Sequence, residues 1–405
     1  MIDIKVKEDC CGCSACVQIC PKGCISLKED NEGFLYPEAD KDICIDCGLC
    51  EKVCPFINVG VPHEPVNTFA AKNKDESVRM ESSSGGIFTL LAEKVIQEGG
   101  VVFGARFDEN WEVVHDYMEK ISGLSCFRGS KYVQSRIGDT YRQAETFLKQ
   151  GRKVMFTGTP CQIRGLKLFL RKDYENLLTV DFICHGVPSP GIWRMYLNET
   201  FRKPDRREGH GKNTVLSSSK AMPVITGISF RDKKLGWKKF SFVVRGMSAG
   251  QADKNSVLLS DIHLKNPFMR AFLSDLILRP SCYECKAKAG RSGSDITIAD
   301  FWGVQNILSG FDDDKGASLL LVNENRDFFV DVLDDMIKQE INVSAAKQYN
   351  GGFSEKTKPH PKRTLFFSML GNGDLLSTIN ETLKIPLVIR LKRKVGYIYR
   401  KMIKK

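Results

Sequence analysis

Hydrophobic and polar positions follow two alternating patterns from about residue 68 onward. Apolar residues at 87, 88, 91, 95 and 96 recur at helical spacing, which predicts an amphipathic helix ending at Gly99–Gly100. Ser189 followed by Pro190 predicts the start of another helix, with the serine as its cap. Apolar runs of strand length lie at 101–107, 152–158, 177–186, 294–302 and 316–323. This alternation is typical of an α/β domain with a largely parallel or mixed sheet.

The composition is that of a soluble globular protein. The chain has 405 residues, 42% hydrophobic and 27% charged, which is enough for two or three domains. No apolar run approaches the about 18 residues that span a bilayer, and the N-terminus lacks the apolar core of a signal peptide. We therefore expect a cytoplasmic protein.

Fifteen cysteines are many for such a chain, and ten of them precede residue 55. In a cytoplasmic protein they favour metal binding or catalysis over disulfides. Two copies of the motif C-x2-C-x2-C-x3-C-P occupy this region, "CCGCSACVQICP" and "CIDCGLCEKVCP". This is the pattern of bacterial two-cluster ferredoxins, in which the fourth cysteine of each run ligates the other cluster.

The motif therefore predicts two 4Fe-4S clusters. One would be held by Cys10, Cys13, Cys16 and Cys54, and the other by Cys20, Cys44, Cys47 and Cys50. A zinc module or a disulfide knot is the alternative, and the complete repeat with its terminal prolines disfavours it. Cys11 and Cys24 lie outside the pattern, and we interpret them as bystanders.

We predict an α+β ferredoxin-like N-terminal module, then the α/β domain, then a helical, basic C-terminal tail. Polar, turn-rich residues at 203–224 predict a mobile insertion in the α/β domain. The predicted boundaries are 1–60 for the two-cluster module, 61–67 for a linker, 68–150 and 151–330 for the two parts of the α/β domain, and 331–405 for the helical extension and tail.

Four further cysteines are scattered along the α/β domain. Cys161 and Cys184 each follow a predicted buried strand, and the carboxyl ends of such strands collect ligands in open α/β sheets. Cys282 and Cys285 form a C-x-x-C pair that would complete a set of four. Spacing alone leaves zinc and iron–sulfur equally open, and buried cysteines that simply fill the core are a third interpretation.

Six motifs occur in a fixed order: "SSSGGIFTLLA" (82–92), "GSKYVQS" (129–135), "TGTPCQIRGL" (157–166), "ICHGVPSP" (183–190), "ISFRDKKLGW" (228–237) and "CYECKAKAGRSGSDITIADFWG" (282–303). Together they resemble the coenzyme F420 hydrogenase/dehydrogenase beta-subunit family, over roughly residues 5–325. The resemblance implies a flavoprotein that binds FAD and carries a 4Fe-4S cluster beside the flavin. It makes Cys161, Cys184, Cys282 and Cys285 the ligands of a third cluster. Ala299 stands where some members have glycine.

FAD rests on the resemblance, because the sequence has no G-x-G-x-x-G motif, and the local chemistry is compatible with a flavin site. A serine–glycine turn would receive a phosphate, and other side chains would contact the flavin or tune its potential. The candidate cofactor contacts are Ser84, Gly85, Gly86, Lys131, Tyr132, Gly158, Thr159, Pro160, Gln162, Asp300 and Trp302. His185, next to a proposed ligand, is the candidate proton donor. A helix cap, a solvated lysine and a histidine that satisfies a turn are the simpler interpretations.

The leading hypothesis is an oxidoreductase that moves electrons between ferredoxin-type carriers and a two-electron substrate or coenzyme F420, through three clusters and FAD. The alternative is an electron-transfer subunit that docks on a partner enzyme and has no substrate of its own. Expected partners are ferredoxin or another redox protein, and a larger oxidoreductase complex. A nucleic-acid binder is disfavoured because basic residues are confined to one end.

That basic end is the segment 384–405. It carries nine Lys or Arg and no acidic residue, out of a net charge of +11. Its apolar positions suit an amphipathic helix, which could contact an anionic membrane surface, attract an acidic ferredoxin, or pack on its own domain.

Overall fold

The structure is a computed structural model, and it describes residues 1–202, 223–247, 255–324, 332, 334–371 and 373–384. Most of the predicted insertion, 203–222, and the tail from 385 onward lie outside the described residues. Val224, the last residue of the predicted insertion, already begins a strand.

The N-terminal module has two short helices, and each begins inside a cysteine run. Helix α1 is Ala15–Ile19 and helix α2 is Leu49–Lys52. Ser14 and Gly48, the residues before them, have left-handed backbones with φ of 60° and 68°. Both directly follow the second motif cysteine, so the sequence repeat is also a repeat of backbone conformation. The two strands of the module pair antiparallel and are β1, Ile25–Glu29, and β2, Leu35–Ala39.

The remaining described strands build two further sheets. They are β3 Asn67–Asn73, β4 Val101–Phe107, β5 Val113–Met118, β6 Val154–Thr157, β7 Leu177–Phe182, β8 Val224–Asp232, β9 Ser241–Met247, β10 Ser256–Ile262, β11 Ile296–Asp300, β12 Ser318–Val322 and β13 Met336–Glu340. The large sheet has eight strands in the order β13-β3-β12-β11-β7-β6-β4-β5. Its four central strands, β11, β7, β6 and β4, run parallel, and the outer strands are antiparallel to their neighbours. The predicted sheet is therefore a mixed one.

Helices connect and flank these strands. They are α3 Glu76–Glu81, α4 Ile87–Gln97, α5 Thr140–Lys149, α6 Pro160–Leu170, α7 Pro190–Arg202, α8 Pro267–Leu273, α9 Pro280–Tyr283, α10 Val304–Ile307, α11 Val343–Tyr349, α12 Arg363–Met369 and α13 Leu375–Thr382. The predicted helix before Gly99–Gly100 is α4, and its apolar side faces the sheet through Leu91 and Val95. The predicted cap at Ser189 is also confirmed, because its Oγ accepts a hydrogen bond of 3.1 Å from the Ile192 N–H.

The small antiparallel sheet, ordered β10-β9-β8, was not predicted from the hydrophobic pattern. Its apolar side packs Phe230 and Phe242 against Trp193 of α7 and Phe268 of α8. Because this aromatic core fixes the sheet against the helices, the end of β8 is held near the carboxyl end of β11, where Arg231 pairs with Asp300.

The C-terminal extension differs in part from the predicted helical segment. It contains the strand β13, which pairs antiparallel with β3 at the edge of the large sheet. Only Met336 of that strand is buried, so its burial pattern resembles that of an edge strand and gives little signal in the sequence. Three of the described helices, α11 to α13, follow it.

The N-terminal module packs on the α/β domain through α1. The Gln18 side-chain oxygen of α1 accepts a hydrogen bond of 3.0 Å from the Tyr141 N–H at the start of α5. A Cβ atom on Gly165 of α6 would lie 3.0 Å from Cys13 Sγ. The two parts of the chain are therefore in close contact where the cysteines lie.

Candidate functional site

The four scattered cysteines meet at one cavity. Cys161 lies in the first turn of α6, directly after β6, and Cys184 follows β7, the parallel neighbour of β6. Cys282 lies in the short helix α9, and Cys285 follows it. All four line a cavity of about 450 Å³, counting the solvent at its mouth. The predicted convergence of strand ends and the C-x-x-C pair is present in the structure.

Burial dominates the acid–base chemistry of these thiols. It raises the pKa of Cys282 to about 12, and it raises the pKa of Cys184 and Cys285. The pKa of Cys161 is raised by a hydrogen bond with Cys11 and by burial. Free thiols here keep their protons at neutral pH, so a bound metal or cluster would have to displace them.

Polar groups surround the sulfur atoms of this cavity. Thr159 Oγ1 lies 3.2 Å from Cys161 Sγ, and the Val187 N–H donates to Cys282 Sγ at 3.4 Å. Lys288 is 6% exposed, and its ammonium donates to the carbonyl of Cys184 at 2.8 Å and to that of Gly352 at 2.7 Å. Sequence reasoning missed Lys288, because a lysine in "KAKAG" gives no sign of burial. A cation and N–H donors beside thiolates suit an iron–sulfur cluster, whose sulfurs accept such bonds.

A second cavity lies in the N-terminal module, with a volume of about 350 Å³. Among the residues that line it are Cys20, Cys44, Cys47 and Cys50. This is the complete second set predicted from the motif, and Cys47 is exposed. Cys24 lines the same cavity, with its sulfur 3.4 Å from that of Cys20.

The first predicted set is also brought together. Burial raises the pKa of Cys16, and the charges of Cys10 and Cys54 add to this effect. Cys13 interacts electrostatically with Cys16 and Cys54. Each member of the set is therefore within electrostatic range of at least one other member.

Cys11 is the contact between the module and the third set. It is buried, lines the large cavity together with Cys161, and its side chain interacts with that of Cys161. Its neighbour Cys10 belongs to the first set. Sequence reasoning had no ground for joining Cys11 to the third set, because its partner is 150 residues away along the chain.

Arg279 is a second contact at the same place. The side chain is 1% exposed and reaches from the residue before α9 into the module. It donates to the Cys10 carbonyl at 2.7 Å, the Leu35 carbonyl at 2.9 Å and the Gln134 side-chain oxygen at 2.9 Å. One of its nitrogens also lies 3.5 Å from Cys10 Sγ. Sequence reasoning missed Arg279, which precedes a proline and looks like a surface residue.

Three of the predicted flavin contacts meet around another buried cation. Arg231 at the end of β8 forms an ion pair of 2.8 Å with Asp300 and donates to the Tyr132 hydroxyl at 3.0 Å. Trp237 donates to Asp300 at 3.1 Å and stacks on Trp302, with ring centroids 4.8 Å apart. Arg231 Nε is buried and has no hydrogen-bond partner within the part of the chain that the structure describes. A partly exposed indole beside an unused buried donor suits a planar, polar cofactor.

The serine–glycine turn uses its donors within the protein. The Ser84 hydroxyl donates to the Ala317 carbonyl at 2.7 Å, and the Gly85 N–H donates to Ser318 Oγ at 2.9 Å. Gly86 is the N-cap of α4, with φ of 83°, and no side chain caps this helix. The phosphate contact predicted at Ser84 and Gly85 would therefore require these bonds to be exchanged.

The residues around Cys161 form the start of α6. Thr159 and Gln162 make a reciprocal capping box, with Pro160 in the first turn. Gln162 also donates to Ser135 Oγ at 3.0 Å, and Gly158 lies against the Gln162 side chain. These contacts orient the Cys161 thiol, and Gln162 itself is turned to the protein interior.

Lys131 and His185, the remaining predicted site residues, have local partners. Lys131 donates to the carbonyls of Arg128 at 3.1 Å and Gly129 at 3.2 Å, and burial lowers its pKa to about 8. His185 lines the large cavity, and its Nε2 lies 2.6 Å from Asp275 Oδ1. The imidazole is 48% exposed, so it can reach solvent while its ring is held by a carboxylate.

Phe272 lies between the four-cysteine cavity and Arg231 with its partners Tyr132 and Asp300, which we call the Arg231 group. Its ring centroid lies 5.3 Å from that of His185 and 4.6 Å from that of Tyr132. The four-cysteine cavity and the group of Arg231, Tyr132 and Asp300 are therefore separated by one aromatic ring.

Comparison with known families gives two matches. Residues 9–58 match the 4Fe-4S dicluster domain, and residues 151–347 match the family described by the C terminus of the coenzyme F420 hydrogenase/dehydrogenase beta subunit. Most residues of the large cavity and of the Arg231 group lie within 151–347. The two cysteine sets of the repeated motif lie within 9–58.

Individual proteins show the same two similarities. The chain is 27% identical to the F subunit of the F420H2 dehydrogenase of Methanosarcina mazei over 188 residues, 43% of this chain and 53% of that protein. It is 38% identical to a 7Fe ferredoxin of Hydrogenibacillus schlegelii over 76 residues, 17% of this chain and 90% of the ferredoxin. A chain of the F420-reducing NiFe hydrogenase complex of Methanosarcina barkeri superposes with a TM-score of 0.47 and 15% identity, covering 77% of this chain and 94% of that chain. The chain spans about half the length of the dehydrogenase subunit it matches.

The cysteine sets, the mixed sheet and the two family matches define an iron–sulfur protein with an N-terminal dicluster domain. The resemblance of the motifs to the coenzyme F420 hydrogenase/dehydrogenase beta-subunit family is confirmed over residues 151–347, which match the C terminus of that family. Within the described residues, no helix is long and apolar enough to cross a membrane.

Proposed function

We propose that the chain is an iron–sulfur flavoprotein oxidoreductase. It would move electrons between one-electron carriers and a two-electron substrate or the deazaflavin coenzyme F420, using three 4Fe-4S clusters and FAD. The observation that carries this proposal is the cavity lined by Cys161, Cys184, Cys282 and Cys285. They come from three separate segments of the chain, and their meeting supports a shared ligand in addition to the two clusters of the ferredoxin-like module.

The positions of the three cysteine sets support an order along the electron path. The set with the exposed Cys47 is the outer one and would exchange electrons with a carrier protein. The set with Cys13 lies against α6, which begins with Cys161 in its first turn. The path would therefore run from the outer set, through the Cys10 set, to the set at the large cavity.

The Arg231 group is the proposed flavin site. FAD, when bound, would exchange electrons singly or in pairs, and so join cluster chemistry to substrate chemistry. Tyr132, Asp300 and Trp302 would bind and orient it, with the unused Nε of Arg231 as a further donor. Phe272 stands between this group and the cysteine cavity and keeps the intervening space apolar.

His185 is the proposed proton donor. Asp275 holds the ring through Nε2, which leaves Nδ1 to exchange a proton with substrate or solvent. Asp275 has a left-handed backbone with φ of 60°, and its carbonyl accepts a hydrogen bond of 2.6 Å from the Tyr283 hydroxyl. The carboxylate that orients His185 is thus fixed from two directions.

The second candidate function is an electron-transfer subunit that docks on a partner enzyme. It is favoured by the similarity to the dehydrogenase protein of Methanosarcina mazei, which is itself a subunit. Ferredoxin or another redox protein would then be the electron carrier, and a larger oxidoreductase complex would hold the substrate site. Location in the cytoplasm and membrane contact through the tail stay predictions from the sequence.

Anaerobic purification followed by cofactor analysis tests both candidates. Three cubane clusters predict about twelve irons per chain, together with one flavin. Colourless protein with bound zinc would contradict both. Turnover of coenzyme F420 or another two-electron acceptor by the isolated chain, with reduced ferredoxin or viologen as donor, would favour the enzyme. Full cofactor content with no turnover until a partner is added would favour the subunit.

A further inference from the structure

Arg279 is a buried cation whose partners differ from those of other buried arginines. Arg79 forms an ion pair with Asp313, and Arg231 forms one with Asp300. Within the described residues, the hydrogen bonds of Arg279 go to two carbonyls, one amide oxygen and the Cys10 sulfur, and no carboxylate pairs with it.

A charge that is removed from water is costly unless an opposite charge compensates it. The groups around Arg279 supply only partial compensation. Its guanidinium lies 4.3 Å from the ring centroid of Tyr36 and 5.4 Å from that of Phe34. Both rings attract a cation but carry no net charge. A fixed negative charge is therefore expected at the Cys10 end of the side chain, where one guanidinium nitrogen meets the sulfur.

The backbone at Gly12 lies so close to the guanidinium that it leaves no room for a side chain. A Cβ atom on Gly12 would lie 2.8 Å from Nη1 of Arg279 and 2.6 Å from Nε2 of Gln134. Gln134 in turn donates to the Cys11 carbonyl at 2.9 Å. Arg279 and Gln134 thus cover the turn that runs from Cys10 to Gly12, and they do so from the side of the third cysteine set.

We propose that Arg279 supplies the counter-charge of the cluster held by Cys10, Cys13, Cys16 and Cys54, and that it raises the reduction potential of this cluster. The inference rests on the three-cluster function proposed above. A cubane with four thiolates carries net negative charge, which grows by one unit on reduction, so a fixed cation with a hydrogen bond to a ligand sulfur favours the reduced state.

The step that Arg279 affects is the exchange of one electron between neighbouring clusters. One cluster is oxidised as the other is reduced, and no bond or proton changes place in the protein. Arg279 touches the ligand of one cluster and lies three residues before Cys282 of another, so its charge biases the direction of this exchange. It is a positioning and tuning residue and makes no contact with substrate.

The test is a reductive titration followed by electron paramagnetic resonance, on the full chain with its clusters. Arg279→Gln should lower the potential of one cluster by at least 59 mV, which is a tenfold change in the one-electron equilibrium constant. Arg279→Lys, which keeps the charge, should lower it less. Arg79→Gln is the matched control, because Arg79 is a buried arginine that bonds to Asp313 and Gly316, and it should leave the cluster potentials unchanged.

The outcomes separate the two proposals. Protein without iron would contradict the proposed function itself. Full iron with unchanged potentials in Arg279→Gln, or equal shifts in the Gln and Lys variants, would show a purely structural role and overturn the inference. If Arg279→Gln cannot hold its clusters, Gln134→Glu decides, because a carboxylate in place of the Gln134 amide would pair with Arg279 and should lower the potential of the same cluster. Unchanged potentials in Gln134→Glu overturn the inference.

Discussion

Gly33 of the module hairpin and Gly191 of α7 meet backbone to backbone. The Gly191 N–H donates to the Gly33 carbonyl at 3.3 Å, and a Cβ atom on Gly33 would lie 2.4 Å from the Gly191 Cα. Ser189 Oγ also donates to the Glu32 carbonyl at 2.5 Å. At this point the module meets the α/β domain main chain against main chain, in addition to the side-chain contacts of Gln18 and Arg279.

We expect Gly33→Ala to weaken this contact. The methyl group would overlap the backbone of α7, and overlap of this kind typically costs about 1–3 kcal/mol in addition to the strain of a positive φ. Gly23→Ala is the matched control, because Gly23 also has a positive φ, 61°, but nothing lies within 4 Å of its Cβ position. Anaerobic thermal unfolding should give a lower apparent Tm for Gly33→Ala than for Gly23→Ala. Equal values would contradict the proposed packing.

Cys282→Ser should remove one cluster of three. The iron content should fall from about twelve to about eight per chain, because each cubane holds four irons. Cys126→Ala is the control, since Cys126 lies in none of the three sets, and it should keep the full iron content. Chemical iron analysis of both variants, purified together with the natural chain, measures this. An unchanged iron content in Cys282→Ser would refute the third site.

Asp181 should make stability depend on pH. Burial raises its pKa to about 6, against hydrogen bonds that lower it, among them one of 2.5 Å from Thr297 Oγ1. The folded state therefore binds the proton more tightly than the unfolded state, whose pKa is 3.8. The stabilisation present below pH 3.8 is lost as the pH rises to 6.

Asp181→Asn removes this loss and should stabilise the protein at pH 7 by about 1–3 kcal/mol relative to the natural residue. The difference should shrink as the pH falls toward 4. His115, whose pKa burial lowers to about 4, acts in the opposite direction over the same range, so the difference between the two chains is the quantity to measure. Denaturant unfolding at several pH values checks it, and a constant difference would contradict the prediction.

Asp300→Asn should weaken both the fold and the flavin site. It leaves Arg231 without its carboxylate, and breaking a buried ion pair in this way costs about 3 kcal/mol or more. The double variant Arg231→Met, Asp300→Leu should recover much of this stability, because neither charge stays behind. Flavin content separates the roles. We expect the flavin content to be low in both variants. A stable double variant that retains flavin would contradict the proposed flavin site.

The sequence predicted the parts of the site that depend on local spacing. The two cysteine runs share a repeat, and the repeat reappears in the matching backbones of Ser14 and Gly48. Cys161 and Cys184 were located at strand ends because buried parallel strands are continuous apolar runs, and β6 and β7 proved to be neighbours. The sequence signal for each of these features lies within a few residues of the feature itself.

The parts that escaped prediction depend on contacts between distant segments. Arg279, Lys288 and Arg231 are buried cations, and a charged residue in a sequence indicates exposure unless its partner is known. The small sheet of β8 to β10 was missed because aromatic residues of other segments, not an alternating pattern, cover its apolar side. Ser84 and Gly85 were expected to face a phosphate, but β12 and the residue before it supply Ser318 and Ala317 as their partners.

Helix α6 touches two cysteine sets within one turn. It carries Cys161, and four residues later Gly165 rests against the Cys13 sulfur. One turn of helix advances about 5.4 Å along its axis, so the hydrogen-bonded backbone sets the spacing between these two points. Rotation of a side chain cannot alter it. An electron that passes from the set of Cys13 to the set of Cys161 would therefore cross one turn of α6 and the contact between Cys13 and Gly165, and the absence of a side chain at Gly165 keeps that contact close.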